Sequence, residues 1–330
     1  MPEPVLRGEW GAEMLITVYI PTRNRAALLE VAIASVRRQT CSRFELIVVD
    51  DASIDRTPSL LSSLAAREPR MRVITHAQPQ GGAAARNAAI VAARGDFLTG
   101  LDDDDSFTPD RLSRFAEAWQ RHERSGRRLS GLYSHVAVME DGRVVAHTHK
   151  PEVARFEDMF DENVVGSQIF APKRNFLDAG LFRVGLPAWQ DLEFFMRVLK
   201  TAGPARLDDA VTYHWDNSVR ADRVSLQGEE KLRVACDTVI RLHAGDDRRR
   251  IQQLYLQLFG RLYGLSATPR DWWRFLALGV WPRGILRLAS IGVRRFVRVR
   301  MGWAIPRHVR RWRARRAAVA LEQRVGLQKE

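Results

Sequence analysis

The chain has 330 residues, 45% hydrophobic and 28% charged, which suits a globular protein with a large core and excludes a disordered or fibrous one. Two cysteines, Cys41 and Cys236, exclude a disulfide framework and fit a reducing compartment. The net charge of +13 sits wholly in residues 270–330, where 15 Arg and one Lys face Asp271, Glu322 and Glu330, so the body before them is neutral.

The start, "MPEPVLRGEWGAEMLITVYIP", has acids where a signal peptide needs basic residues. "MLITVYI" (14–20) reads as a first strand. "AALLEVAIASVRRQ" (26–39) carries Leu28, Leu29, Ala32, Ile33 and Val36 on one helical stripe. "FELIVV" (44–49) is a second strand, and Thr57-Pro58 reads as the N-cap and first position of a helix to about Arg67. "MRVIT" (71–75) is a third strand, "AAARNAAIVAAR" (83–94) a helix closed by Gly95, and "DFLTGL" (96–101) a fourth strand. Thr108-Pro109 opens another helix to about His122. A hairpin comes after it, turning at Glu140-Asp141-Gly142. Next are a strand at 164–172, a helix at 188–200 and a strand at 210–215. From about 228 the pattern is helical and increasingly rich in arginine.

Alternating strands and helices with short links imply a parallel sheet, whose ligand crevice lies beyond the carboxyl ends of the strands. The first four strands lead into "PTRNR", "DDASID", "HAQPQGG" and "DDDD" respectively, and all four segments should meet along one edge. The acidic run is costly, because two carboxylates about 4 Å apart repel by about 4 kcal/mol at an effective dielectric near 20. Residues i and i+2 at a strand end point the same way, so Asp102 and Asp104 would converge on one divalent ion, Mg²⁺ or Mn²⁺, with Asp103 turned elsewhere. The competing account is a solvated acidic loop. Asp50 and Asp51 end the second strand, where a carboxylate often meets a ribose or base. A dehydrogenase fails at the first turn, since "IPTRNRA" contains no glycine.

Taken together, "ITVYIPTRNRAALLEVAIASVRRQT", "FELIVVDDASIDRT" and "GGAAARNAAIVAARGDFLTGLDDDD" resemble the signature of glycosyltransferase family 2 on a GT-A nucleotide-sugar-binding fold. The resemblance spans roughly residues 14–215. It implies an α/β protein with a mixed, mainly parallel, Rossmann-like sheet flanked by helices, and a metal-dependent, inverting transfer of a sugar from a nucleoside diphosphate, UDP favoured. Carried over by position, Pro21, Thr22, Asn24 and Asp51 would line the nucleotide site. Arg86 would contact the donor, with Asn87 supporting the loop. Asp102 would face the ribose or sugar, Asp104 would hold the metal with Asp102, and Asp103 fills a variable position beside the nucleotide sugar.

"GLPAWQDLEFFMR" resembles the family's acidic helix start, with Gln190 where a Glu is common. Asp191 is the expected base and Glu193 the reserve, while a carboxylate there also simply suits a helix N-terminus. Trp189 would stack on an acceptor sugar or pack in the core. His214, Arg220 and Arg223 lie where related enzymes close a loop on the diphosphate, and a plain surface loop is the competing account. His147 and His149 share a strand face, as surface residues or as metal ligands.

The expected division is a catalytic domain over 1–227, with a nucleotide-sugar half at about 14–125 and an acceptor half at about 126–227. A helical, Arg/Trp-rich region occupies 228–330. Basic residues interleaved with Trp272, Trp273, Trp281, Phe296, Trp303 and Trp312 suit an anionic bilayer better than nucleic acid, the competing account being a helical extension that packs its tryptophans on the catalytic domain. Arg274, Arg283 and Arg287 interrupt every candidate span. The expectation is a cytoplasmic enzyme on the inner face of the membrane, adding sugar to a glycan or lipid-linked acceptor in surface polysaccharide or glycolipid synthesis. The alternative is a non-catalytic nucleotide-sugar or nucleic-acid binding protein on the same scaffold.

Overall fold

A computed structural model describes residues 14–126, 128–218, 228–260, 263 and 265–300. The chain divides into two units. One comprises residues 1–159, 163–186 and 190–216, and the other 160–162, 187–189 and 217–330.

The first unit is a mixed α/β sheet of ten strands. β1 (Ile16–Thr22) and β2 (Phe44–Asp50) are almost wholly buried, as expected for apolar runs covered on both faces. They pair in parallel with each other, β2 with β3 (Met71–Thr75), and β1 with β4 (Phe97–Gly100). Helices α1 (Ala26–Arg37), α2 (Thr57–Ala65) and α3 (Gly82–Ala92) make the connections. α1 buries Leu29, Ala32, Ile33 and Val36. The sheet order β3-β2-β1-β4 sets the carboxyl ends of β2, β1 and β4 side by side.

The second half mixes directions. α4 (Arg111–Arg124) precedes the long strand β6 (Gly131–Glu140), which forms a hairpin with β7 (Arg143–His147). β9 (Phe170–Pro172) is antiparallel to β4, and β10 (Ala205–Asp216) is parallel to β6. The short β5 (Ser106–Phe107) and β8 (Val153–Ala154) both pair antiparallel with β10. α5 (Lys173–Asp178) and α6 (Gln190–Ala202) complete the unit.

Several local expectations change. Thr57 is the first helical residue rather than the N-cap, and the side chain of Asp55 accepts its backbone N–H at 2.9 Å. Only 170–172 of the expected strand 164–172 is extended, and α5 begins at once after it. Gly95 does not cap α3, which ends at Ala92 with an extended Ala93. Gly95 is required for space, since a Cβ there would lie 2.5 Å from Thr17 Oγ1 and 2.6 Å from Thr17 N. Both residues sit on the buried carboxylate of Glu45, which accepts from Thr17, Arg94 and Gly95.

The second unit is helical: α7 (Glu229–Val239), a π turn at Ile240–Ala244, α8 (Arg248–Gln257), α9 (Pro269–Ala277) and α10 (Pro282–Arg300). Asp271 organises it. It completes a capping box with Thr268, pairs with Arg233 at 2.7 Å and accepts from Tyr255. Although burial opposes the charge, these donors hold its carboxyl well below the usual range. Trp273, Val280 and Leu286 are exposed on α9, α10 and their link. Among the described residues no helix is long and apolar enough to cross a membrane.

Candidate active site

The register brings the site together. Tyr19 of β1 lies opposite Gly100, the last residue of β4, and Thr22 opposite Asp50. The chain leaving β4 therefore runs past the last residues of β1, and "DDDD" arrives beside "PTRNR". Burial alternates along it: Asp102 and Asp104 are half-buried, Asp103 and Asp105 buried.

Each carboxylate has its own means of accommodation. Asp102 Oδ1 accepts from Arg86 at 2.9 Å and from the Gln168 amide at 3.2 Å. Asp103 accepts from Thr22 at 2.8 Å and from Arg25 at 2.9 Å. Burial lifts its carboxyl above the ordinary value despite those two donors. Asp104 lies 3.4 Å from Arg25. Asp105 accepts from Tyr213 at 2.6 Å and from Asp216 N at 2.9 Å. Burial, reinforced by the charges of Asp104 and Asp102, pushes its carboxyl well up. Arg86 and Arg25, with the donors that reach each carboxylate, thus offset the repulsion of the run.

Asp103 and Thr22, expected at the nucleotide sugar, are both buried and bond each other at 2.8 Å. Asp51 is similarly engaged. Its Oδ1 accepts from Gln80 N at 2.8 Å and meets His76 Nδ1 at 2.7 Å, and its Oδ2 accepts from Gly81 N at 2.8 Å. Burial favours its neutral form, but these bonds outweigh it and the carboxyl is lowered. It ties the end of β2 to the entry of α3, where Gly81 has φ +90°. Pro21 is half-buried at the end of β1. Asn24 is exposed, with φ 55°, and its Oδ1 accepts from Ile54 N at 2.7 Å. Ala52 (φ 58°) and Trp189 (φ 58°) are also left-handed, a conformation costly for these side chains and concentrated beside functional sites.

Arg86 is the centre of the arrangement. Besides Asp102 it donates to Gln190 Oε1 at 3.2 Å, and Gly82 leaves it room, since a Cβ there would lie 3.2 Å from its Nη1. Burial opposes its charge, but Asp102 and Asp191 outweigh that and hold it protonated. Asn87 clamps the backbone of Phe182 with two bonds of 2.8 Å.

Asp191 stands in the first turn of α6, with Oδ1 buried and without a hydrogen-bond partner among the described residues. Burial raises its pKa to about 7, with Arg86 pulling down and Asp102 pushing up. A basic oxygen with an unfilled acceptor site near neutrality is what proton abstraction requires. Glu193 is excluded from that role. It is fully buried, and its carboxylate is bound by Arg197 at 2.7 and 2.9 Å.

Trp189 is buried with its ring 6.2 Å from Tyr263, so it packs. His214 belongs to β10 and lies 3.5 Å from Ser106 Oγ. Arg220 and Arg223 fall outside the described residues, as do Trp303 and Trp312. His147 and His149 are exposed, and no group of three His, Cys, Asp or Glu among the described residues encloses a metal. The half-buried oxygens of Asp102 and Asp104 nonetheless fit Mg²⁺ or Mn²⁺, which commonly bind through one or two carboxylates, waters and a substrate's phosphates.

Sequence reasoning missed Tyr19, Gln168 and Tyr213. The buried hydroxyl of Tyr19 has no partner among the described residues. Arg86, Asp191 and Asp102 all act on it electrostatically, which places it beside them. Gln168 comes from the segment read as strand, and Tyr213 from a strand whose apolar pattern hides its hydroxyl.

Comparison with known proteins bears on this geometry. Residues 17–130 match the model of glycosyl transferase family 2. A protein of Escherichia coli K12 named as a colanic acid biosynthesis glycosyl transferase, WcaA, is 34% identical over 204 residues, 59% of this chain and 70% of that protein. The succinoglycan biosynthesis protein ExoO of Rhizobium meliloti is 33% identical over 162 residues, 49% of this chain and 45% of that protein. Among solved structures, S. aureus TarS 1–349 in complex with UDP-GlcNAc superposes with a TM-score of 0.60 at 19% identity. That superposition covers 84% of this chain and 79% of TarS 1–349, a likeness of fold.

Proposed function

This chain belongs to glycosyl transferase family 2 and has the GT-A fold, and from that premise we propose that it transfers a sugar, with inversion, from a UDP-sugar to a hydroxyl of a glycan or lipid-linked acceptor in surface polysaccharide synthesis. Catalysis is assigned to residues 1–227. The observation that carries the reading is the Asp102–Arg86–Asp191 group. It joins a ligand-facing carboxylate, a buried cation and a carboxyl whose pKa is about 7.

In this reading Arg86 contacts the donor and steadies Asp102, and Asp191 Oδ1 takes the proton of the acceptor hydroxyl as that oxygen attacks the anomeric carbon. Asp102 and Asp104 would hold a divalent cation, which when bound neutralises charge on the departing diphosphate. Asp51 shapes the loop at Gln80-Gly81 against which the nucleotide lies. The names of WcaA and ExoO support a polysaccharide product, and the TarS complex supports a UDP-sugar donor. A screen of nucleotide sugars with Mn²⁺, reading nucleoside diphosphate release, tests this. Release with one donor, abolished by EDTA, is expected, and no release with any donor would defeat the reading.

The basic region 228–330 is assigned to an anionic membrane surface, on the cytoplasmic face. Exposed Trp273, Val280 and Leu286 stand among Arg270, Arg283 and Arg287, the pairing of apolar and cationic groups that binds an anionic interface. Flotation with anionic liposomes at low salt should carry the full chain upward, and neutral liposomes should not. Equal flotation with both, or none, rejects it.

A further inference from the structure

We infer that Gln168 is a positioning residue for the reaction: its buried amide fixes the Asp102 carboxylate, and Gly100 is the opening in β4 that admits it. The inference rests on the reading of Asp102 as a donor-binding group.

β9 pairs antiparallel with β4, Thr99 opposite Phe170, so the residues before β9 run alongside those after β4. Gln168 is buried there, 4% exposed. Its Nε2 donates to Asp102 Oδ1 at 3.2 Å, the same oxygen that takes the 2.9 Å bond from Arg86. Two donors from different elements on one oxygen fix the plane of the carboxylate and leave Oδ2 as the atom that meets a ligand.

The amide secures this at a cost. Its Oε1 is buried without a partner among the described residues, a state that folded proteins rarely tolerate without a reason. Turning the amide over would set Oε1 against the Asp102 carboxylate and lose the bond. The unsatisfied oxygen is the consequence of delivering the donor to Asp102.

Gly100 makes the approach possible. A Cβ at that position would lie 1.9 Å from Gln168 Oε1, 2.7 Å from its Cδ and 2.7 Å from Cε2 of the buried Tyr19 ring. Gly100 is not among the residues with positive φ, so the requirement for glycine is one of space rather than of backbone conformation. Any other residue at 100 displaces Gln168 and presses on the Tyr19 ring, so Gln168→Met is the cleaner variant. Two positions far apart in sequence thus serve a single contact at the donor carboxylate.

Gln168→Met keeps the length of the side chain and removes its donor, and Gly100→Ala expels the same amide by a separate route. Binding of UDP-GlcNAc with Mn²⁺ is measured on the full chain by calorimetry, with the donor KM and kcat of UDP release and a crystal structure of Gln168→Met. Both variants should weaken donor binding about tenfold, the scale of one hydrogen bond to a charged group. The donor KM should rise alongside, with a smaller fall in kcat at saturating donor and the melting temperature of Gln168→Met little changed. The crystal should show the Asp102 carboxylate rotated. Wild-type affinity in Gln168→Met, or Asp102 unmoved in its crystal, overturns the inference. If the wild-type chain binds no nucleotide sugar, the reading of the site fails instead, and the orientation of Asp102 in that crystal still decides the role of Gln168.

Discussion

Asp191→Asn is expected to slow sugar transfer by about 10²–10⁴-fold, the contribution of a positioned general base. Donor binding should survive, because Arg86 keeps Asp102 and Gln190. The same residue fixes the pH dependence. Burial raises its pKa to about 7, and the base works only when ionised. Activity should therefore level off above pH 7 and fall about tenfold per unit below it. Stability moves the other way. An unfolded aspartate ionises near about 3.9, whereas the folded one holds its proton to about 7. Between these values the folded state binds the extra proton, so stability falls as pH rises through the window. Asp191→Asn removes that penalty and should melt no lower than wild type at pH 8. Wild-type turnover in Asp191→Asn, measured as UDP release, would show that the proton goes elsewhere.

Asp104→Ala is the second large effect. Loss of one ligand of a charge-neutralising cation should reduce donor turnover by about 10²–10³-fold, on the scale of removing one electrostatic stabiliser of a transition state. Addition of Mn²⁺ should no longer enhance UDP binding. The melting temperature should change less than in Asp103→Ala, since Asp104 is only half-buried. Asp103→Ala should behave in the opposite sense. It removes the acceptor of Thr22 and one of the carboxylates that Arg25 meets, and loss of so buried an acceptor costs about 1–3 kcal/mol. Calorimetry of the two variants, with and without Mn²⁺, separates them. An Asp104→Ala enzyme that still responds to Mn²⁺ removes Asp104 from the metal site.

These contrasts show why "DDDD" is not a uniform acidic loop. Asp103 and Asp105 are buried and accept from Thr22, Arg25 and Tyr213, whereas Asp102 and Asp104 are half-buried. Alternation along an extended chain is a local property, so this much was legible from spacing. So were the four strands that open the chain, whose apolar runs are short and clearly bounded, and Asp191 at its helix start.

What the linear chain hid has a common cause. Gln168 lies 66 residues from Asp102 and Gln190 lies 104 from Arg86, and nothing local in either segment marks the partner. Gly95 reads as a helix stop by local rules, yet the actual constraint is the nearness of Thr17 across the sheet. Asp51 reads as the end of a strand, and nothing local shows that its oxygens accept from the backbone of Gln80 and Gly81.

By itself the sequence determined the parallel β-α alternation, the crevice edge and the residue types gathered there, because these depend on periodicity and short-range backbone preference. Only the tertiary structure decided which carboxylates are buried and which stay half-exposed. It also raised the Asp191 pKa toward neutrality, because burial and through-space charge depend on neighbours that chain order does not specify.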